Sequence, residues 1–227
     1  MSFSNAYAQD INEILSHVIQ TYGGEENLKK MTSYRQTWNL FPTGSTYEGS
    51  DQREVILPHS LKTTVRLESR VETRFLSPQL KYTIINGKKE NVSGIKAKAM
   101  QLQLKRLYTP LILKQKATEL KLEDYATHHA LVLESKEDKV VYFVNKKNYA
   151  ITQVTGFIHV HGQTITFDTL YTIFKKFDGV LMPTKEYKSA NNVRTAILTL
   201  QSVDFTHNVN ISEDKKYELA YFKTNAQ

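Results

Sequence analysis

Cysteine is absent from this chain of 227 residues, and glycine and proline are scarce, with nine and five copies. Without cysteine, these 227 residues contain no group for disulfide bonds, thiolate metal sites, cysteine nucleophiles or a lipid attached to cysteine. No apolar run approaches the roughly 20 residues that a membrane-spanning helix needs. The motifs of P-loop nucleotide binding, dinucleotide binding, zinc proteases and serine hydrolases are missing as well, so no nucleophile and base can be identified.

Basic residues exceed acidic ones, which gives the chain a net charge of +7 and a pI of about 9.3. Such a charge is compatible with nucleic acid or with acidic lipid head groups, but it selects neither. The segments KKNY and IFKKF mix aromatic with basic residues, as nucleic-acid-binding sheets do, yet the same aromatic positions satisfy the alternation of a core. We therefore predict a solvated basic surface and no nucleic-acid partner.

The N-terminal residues suggest export. Ala6-Tyr7-Ala8 is a small-x-small pattern of the kind that signal peptidase recognises. We predict that residues 1–8 are the remnant of a signal peptide and that residues 9–227 form a single domain. An exported protein without cysteine suits the periplasm of a Gram-negative bacterium.

A helix is predicted directly after this segment. Asp10 can cap its first turn and Glu13 follows three residues later, as in a capping box. Gly23-Gly24 ends the helix. One apolar stripe at helical spacing consists of Ile11, Ile14, Leu15, Val18, Ile19 and Tyr22.

From Ser33 onward the apolar residues recur every second position, which predicts β-strands. Asn86-Gly87 is a strong hairpin signal, and the later turns are equally short, so neighbouring strands should pair antiparallel. Residues 95–117 interrupt this pattern with helical spacing. Pro110 divides that segment into two helices, and Thr109 can cap the second.

Histidines offer the one candidate metal site in the sequence. His159 and His161 are two residues apart on a predicted strand and therefore point to the same side. A zinc site needs a third ligand and supporting hydrogen bonds, and neither is evident nearby. We predict no bound metal and no cofactor.

The end of the chain carries a resemblance to a known family. FDTLYTIFKKFDGVLMPTKEY contains the turn Asp178-Gly179 followed by Pro183, and ILTLQSVDFTHNVNIS ends near Asn208–Ile211. TYGGEENLKKMTSYR and the NGK turn fall where the same proteins have a helix end and a hairpin. These segments resemble the periplasmic lipoprotein-carrier (LolA/LolB-like) superfamily. The Asp178-Gly179 turn is then a tight hairpin, and Pro183 begins an edge strand or a bent strand.

The resemblance implies a mainly β (α+β) fold. A strongly curved antiparallel sheet would form an incomplete barrel, covered by the N-terminal helix and the central helix pair. It also implies an apolar cavity for lipid or lipoprotein acyl chains between sheet and helices, in a monomeric, non-enzymatic carrier that meets a membrane-bound donor or acceptor protein. We predict that the cavity is lined by Trp38, Leu40, Val65, Leu67, Tyr82, Ile84, Met100, Leu104, Leu107 and Leu111.

One position departs from the family pattern. Lipoprotein carriers have an arginine before a proline at the start of a strand, where it locks the helical lid, whereas this chain has Leu57 before Pro58. The departure weakens the prediction of lipoprotein transfer and leaves binding of an apolar ligand. Two alternatives stay open: a scaffold or interaction domain whose core is filled by its own side chains, and, less favoured, a hydrolase.

Overall fold

A computed structural model describes residues 4–160 and 162–206, with side chains from Asp10 onward. The described residues form thirteen strands and four α-helices. The helices are α1 (Ser4–Thr21), α2 (Glu25–Leu28), α3 (Gly94–Lys105) and α4 (Pro110–Gln115), with 3₁₀ turns at Lys29–Thr32 and Ala117–Glu119. The strands are β1 (Ser33–Pro42), β2 (Gly49–Ile56), β3 (Ser60–Leu67), β4 (Arg70–Leu76), β5 (Lys81–Ile85), β6 (Lys88–Asn91), β7 (Leu120–Asp124), β8 (His128–Glu134), β9 (Asp138–Asn145), β10 (Ile151–Val160), β11 (Gln163–Phe177), β12 (Val180–Ala190) and β13 (Val193–Asp204).

All of these strands belong to one antiparallel sheet in the order β6-β5-β4-β3-β2-β1-β13-β12-β11-β10-β9-β8-β7. Two meanders, β1 to β6 and β7 to β13, are joined side by side where β1 pairs with β13. The edge strands β6 and β7 do not pair, so the sheet is open, and α3 and α4 connect them in sequence. The predicted incomplete antiparallel barrel with helices is confirmed.

The helices cover one face of this sheet. Leu15 and Val18 of α1 and Leu113 of α4 are fully buried in the same core cluster as Tyr142 and Ile158 of the sheet. Within the described residues, none of the helices is both long and apolar enough to cross a membrane.

Gly156 allows α3 to lie close to β10. A Cβ atom at this position would lie 2.8 Å from side-chain atoms of both Leu102 and Arg106. Any larger residue would therefore displace the helix or these two side chains, and Arg106 depends on this close approach for its place over the sheet.

The Asp178-Gly179 turn connects β11 to β12 as predicted, and both residues have positive φ, 47° and 86°. These dihedrals fit a type I′ hairpin turn. The turn also packs against the end of α1, because a Cβ on Gly23 would lie 2.1 Å from the carbonyl oxygen of Gly179. Lys30 Nζ donates to the Asp178 carbonyl oxygen at 2.7 Å, so the hairpin anchors the first helix to the sheet.

Two local predictions need correction. Pro183 lies in β12, which has neighbours on both sides, so the edge-strand alternative is wrong. It pairs with Phe174 beside Ile173, whose φ of 52° marks an irregularity in β11. The helix that Asp10 was predicted to cap already begins at Ser4, so Asp10 lies inside α1. The predicted tail motif Asn208–Ile211 lies outside the described residues.

Candidate ligand-binding cavity

A buried network of charged side chains crosses the helix-covered face at the middle of the sheet. Arg53 of β2 is only 1% exposed. Its guanidinium donates to both carboxylate oxygens of Glu186 on β12, at 3.0 and 2.8 Å, and to Asp51 at 2.9 Å. Arg53 also lies 4.8 Å from the ring centroid of Trp38. The bidentate pair joins strands from the two meanders across the seam made by β1 and β13.

Lys188 extends this network along β12, with its Nζ 3.2 Å from a carboxylate oxygen of Glu186. Burial raises the pKa of Glu186, but Arg53 and Lys188 outweigh burial and hold it down at about 2. Burial lowers the pKa of Lys188 to about 8, even though Glu186 favours its charged form. Lys188 is therefore a cation that its surroundings compensate incompletely.

Arg106 at the end of α3 brings another cation over the same face. Its Nη2 donates to the Thr169 hydroxyl of β11. Its Nε is buried and has no hydrogen-bond partner among the described residues. Burial lowers the pKa of the Arg106 guanidinium, with nearby Arg53 acting in the same direction. A buried donor without a partner costs free energy, so this side chain is suited to receive an acceptor from a ligand.

The larger of two cavities, of about 490 Å³, lies between α3 and five strands, β4, β5, β11, β12 and β13. Its size falls within the usual range of ligand pockets. Apolar side chains line one part and charged side chains another. The lining residues are Arg70, Glu72, Arg74, Thr83, Ile85, Lys96, Ala99, Met100, Leu102, Gln103, Arg106, Phe167, Asp168, Lys188, Ser189, Ala190 and Thr195.

A smaller cavity of about 80 Å³ shares Arg106 with the first and lies between the sheet and residues 106–110, which connect α3 to α4. Tyrosines dominate its lining, among them Tyr22, Tyr34 and Tyr171. Burial raises the pKa of all three phenols, so they stay protonated at neutral pH. Arg106 and Glu186 line this cavity also, so it touches the charged network from the other side. With room for only a few water-sized groups, it can bind at most a small molecule or the tip of a larger one.

The structure does not assemble the predicted cavity lining. Met100 lines the larger cavity and Leu107 the smaller, and the other eight predicted residues line neither. Trp38 and Leu40 instead form a packed cluster with Leu198 and Leu200 of β13, against which Val65 and Leu67 pack. Leu104 is buried in the main core, and Leu111 packs against it. At these positions the interior is filled by the protein itself.

Tyr82 and Ile84 lie on the opposite face of the sheet from Trp38, so their predicted placement is wrong. Strand pairing relates Trp38 through Asp51, Val65 and Glu72 to Ile85, and directly opposed residues share a face. Tyr82 stacks on Phe75 at 4.8 Å on the other side. Thr83 and Ile85 of the same strand line the cavity in their place.

Sequence reasoning missed the charged lining, although the sequence carries a signal for it. Arg70, Glu72 and Arg74 alternate in β4 with period two, and Glu186 and Lys188 do so in β12. Charges at i and i+2 of a strand share one face. We interpreted the basic residues as a solvated surface and therefore overlooked that charge recurs on one face of these strands.

The histidine pair is only half described, because His161 lies outside the described residues. His159 Nδ1 lies 3.0 Å from the Thr164 hydroxyl, which belongs to the neighbouring strand. The described residues contain no group of three or more His, Cys, Asp or Glu side chains that could hold a metal ion.

Neither a protein-family model nor a curated protein matches this sequence. A solved structure described as an outer membrane lipoprotein-sorting protein domain from Vibrio parahaemolyticus matches 96% of this chain and 98% of its own, with 10% identity and a TM-score of 0.50. A LolA superfamily protein from Nitrosomonas europaea matches 87% of this chain and 93% of its own, with 12% identity and a TM-score of 0.52. The predicted resemblance to LolA-like proteins is thus confirmed for the fold.

Proposed function

We propose that this chain, which has a LolA-like fold, is a non-enzymatic carrier or binder of a lipid-like amphiphile. The observation that supports this proposal is the cavity beneath α3, which has room for a ligand and an apolar side formed by Ile85, Met100, Leu102 and Phe167. An acyl chain placed there gains about 0.8 kcal/mol for each buried CH₂ group. The ligand would be a lipid or the acyl chain of an acylated protein, exchanged with a membrane-bound donor or acceptor.

The α3 helix would act as the cover of this ligand. Lys96, Ala99, Met100 and Gln103 all line the cavity and recur at the i, i+3, i+4 spacing of one helix face. Gln101, on the same helix, does not line it. A ligand can therefore be blocked through one face of α3 while the fold is left intact.

Ala99→Trp tests this proposal. The indole should fill the cavity and reduce binding of a fluorescent fatty-acid probe at least tenfold, because the probe then has no room. Gln101→Trp, which adds the same side chain away from the cavity, should bind like the parent protein. Equal binding by Ala99→Trp and Gln101→Trp would argue against this cavity as the site.

A second candidate function is that of a scaffold without a ligand. The packed cluster of Trp38, Leu40, Leu198 and Leu200 favours it, because residues predicted to line a cavity fill the interior instead. Organic extraction of the natively purified protein, followed by mass spectrometry, separates the two candidates. Co-purified lipid supports the carrier, whereas an empty extract together with no binding of the fatty-acid probe supports the scaffold.

The carrier proposal includes a periplasmic location. It rests on the Ala6-Tyr7-Ala8 pattern, after which an exported chain would begin at Gln9. N-terminal sequencing of protein recovered from the periplasm tests it directly. Cytosolic protein that retains Met1 would contradict it.

A further inference from the structure

The wall of the larger cavity carries an excess of positive charge. Five basic residues line it against two acidic residues, an excess of three positive charges. The basic residues are Arg70, Arg74, Lys96, Arg106 and Lys188, and the acidic residues are Glu72 and Asp168, of which the Asp168 carboxylate lies on the opposite face of the sheet. An unbalanced charge in a partly desolvated cavity is costly unless a counter-charge accompanies it.

The carboxylates present are already engaged. Glu72 is shared by two arginines, since one oxygen accepts from Arg70 at 2.7 Å and the other from Arg74 at 2.7 Å. Asp168 accepts from Thr155 at 2.6 Å and from Gln153 at 3.3 Å. These two partners lie on the opposite face of the sheet, since Val154 between them belongs to the helix-covered core.

The cations that β12 and the end of α3 contribute to the cavity also lack a full counter-charge. Glu186, the carboxylate beside Lys188, already binds Arg53 through both of its oxygens. Arg106 donates to a neutral hydroxyl, that of Thr169, and its buried Nε has no partner among the described residues. Cations thus approach the cavity from β4, α3 and β12, three separate elements.

We propose that this cavity binds an anionic head group, a carboxylate or a phosphate, through Arg74, Arg106 and Lys188. The inference rests on the proposed function for the apolar tail of the ligand and adds the chemical class of its head. Guanidinium groups hold carboxylate and phosphate oxygens through paired hydrogen bonds, and Lys188 adds a point charge. The apolar residues Ile85, Met100 and Phe167 line the same cavity, so head and tail can share it.

Ligands with one tail and different heads test the inference. Binding of dodecanoate, dodecyl phosphate, dodecanol and dodecylamine is measured by calorimetry at micromolar concentrations, with inorganic phosphate as a head without a tail. The two anionic amphiphiles should bind at least about tenfold more tightly than dodecanol, as expected for one charge-assisted hydrogen bond. Dodecylamine should bind most weakly.

Variants test which side chains produce the preference for an anionic head group. Lys188→Gln and Arg74→Gln should each reduce affinity for dodecanoate about tenfold and leave that for dodecanol unchanged. Lys176→Gln is the matched control, because Lys176 is exposed on β11 and lines neither cavity. It should bind every ligand like the parent protein, and thermal unfolding of each variant checks that the fold is retained.

The outcomes separate this inference from the proposed function. Equal affinity for dodecanol and dodecanoate would overturn the anionic head and leave a lipid binder. Binding of inorganic phosphate as tight as that of dodecyl phosphate would support the anion site and overturn the role of the tail. Failure of all five ligands to bind would overturn both.

Discussion

At the scale of single residues, Glu186 is the carboxylate that links two cations in the interior of this protein. It is 3% exposed and is held by Arg53 on one side and Lys188 on the other. Removing the carboxylate would leave the half-buried Lys188 without its ion-pair partner and the buried Arg53 with Asp51 alone. Breaking a buried pair is far more costly than its net contribution suggests.

Glu186→Gln should therefore lower the free energy of unfolding at neutral pH by about 3–5 kcal/mol. Denaturant unfolding measures the change, and Glu90→Gln on the exposed edge strand β6 is the control, with an expected change below about 0.5 kcal/mol. An equal effect of both variants would show that the network contributes little.

Glu186 also makes the free energy of unfolding depend on pH in the acidic range. The pKa of Glu186 is about 2 in the folded protein, below its ordinary value of 4.5. A carboxyl with a lowered folded pKa contributes its full stabilisation above the unfolded pKa, and this is lost as the pH falls toward the folded pKa. The difference in stability between the parent protein and Glu186→Gln should shrink as the pH is lowered from 4.5 to 2.

Anion binding should weaken at alkaline pH because Lys188 loses its proton. Burial lowers its pKa to about 8, with Glu186 and Asp51 opposing the shift and Arg53 and Arg106 adding to it. A bound anion stabilises the protonated form, so affinity should be constant below pH 8 and decline above it. Dodecanesulfonate is a suitable probe because its head stays ionised throughout.

Calorimetric titrations with this probe between pH 6 and pH 10 give the profile. Lys188→Gln, which keeps every other group, should show lower affinity with no decline near pH 8. A decline of the same size in that variant would assign it to another group.

At the scale of elements, α3 has two roles on two faces. Leu104 is 5% exposed in the main core, while Ala99 and Gln103 line the cavity. Gly156 sets how closely this helix approaches β10. The helix is therefore fixed by packing on one side and available to a ligand on the other.

Leu104→Ala should consequently cost about 2–5 kcal/mol, the usual loss for a leucine that leaves a void in a packed core. Thermal or denaturant unfolding measures it. Ile95→Ala is the control, because Ile95 of the same helix is 45% exposed, and it should change stability by less than about 0.5 kcal/mol. A loss below 1 kcal/mol for Leu104→Ala would show that Leu104 covers a void instead of filling the core.

At the scale of the whole molecule, pairing of β1 with β13 joins two meanders into one open sheet. Residues far apart in sequence then meet, as Arg53 and Glu186 do across 133 positions. The cavity needs both meanders and α3, because its wall takes cations from β4, β12 and the helix. The site is thus a property of the assembled sheet with its helix and of no single segment.

The sequence by itself determined the elements. Period-two alternation predicted the strands, Asn86-Gly87 and Asp178-Gly179 predicted two hairpins, and Thr109 with Pro110 predicted the start of α4, where Thr109 accepts from the Ile112 amide. Each of these features depends on neighbours a few residues away, through φ preferences, capping and side-chain period. Local chemistry is sufficient to specify them.

Only the tertiary structure decided which face of each strand meets the helices. The strand KYTII has apolar residues in both phases, so alternation could not choose between Ile84 and Ile85, and a shift by one residue exchanges the two faces. Likewise, composition could not distinguish the solvated Lys176 from Lys188 in the cavity wall. Register and the pairing of distant strands fix these differences, because they place each side chain in water or against buried charge.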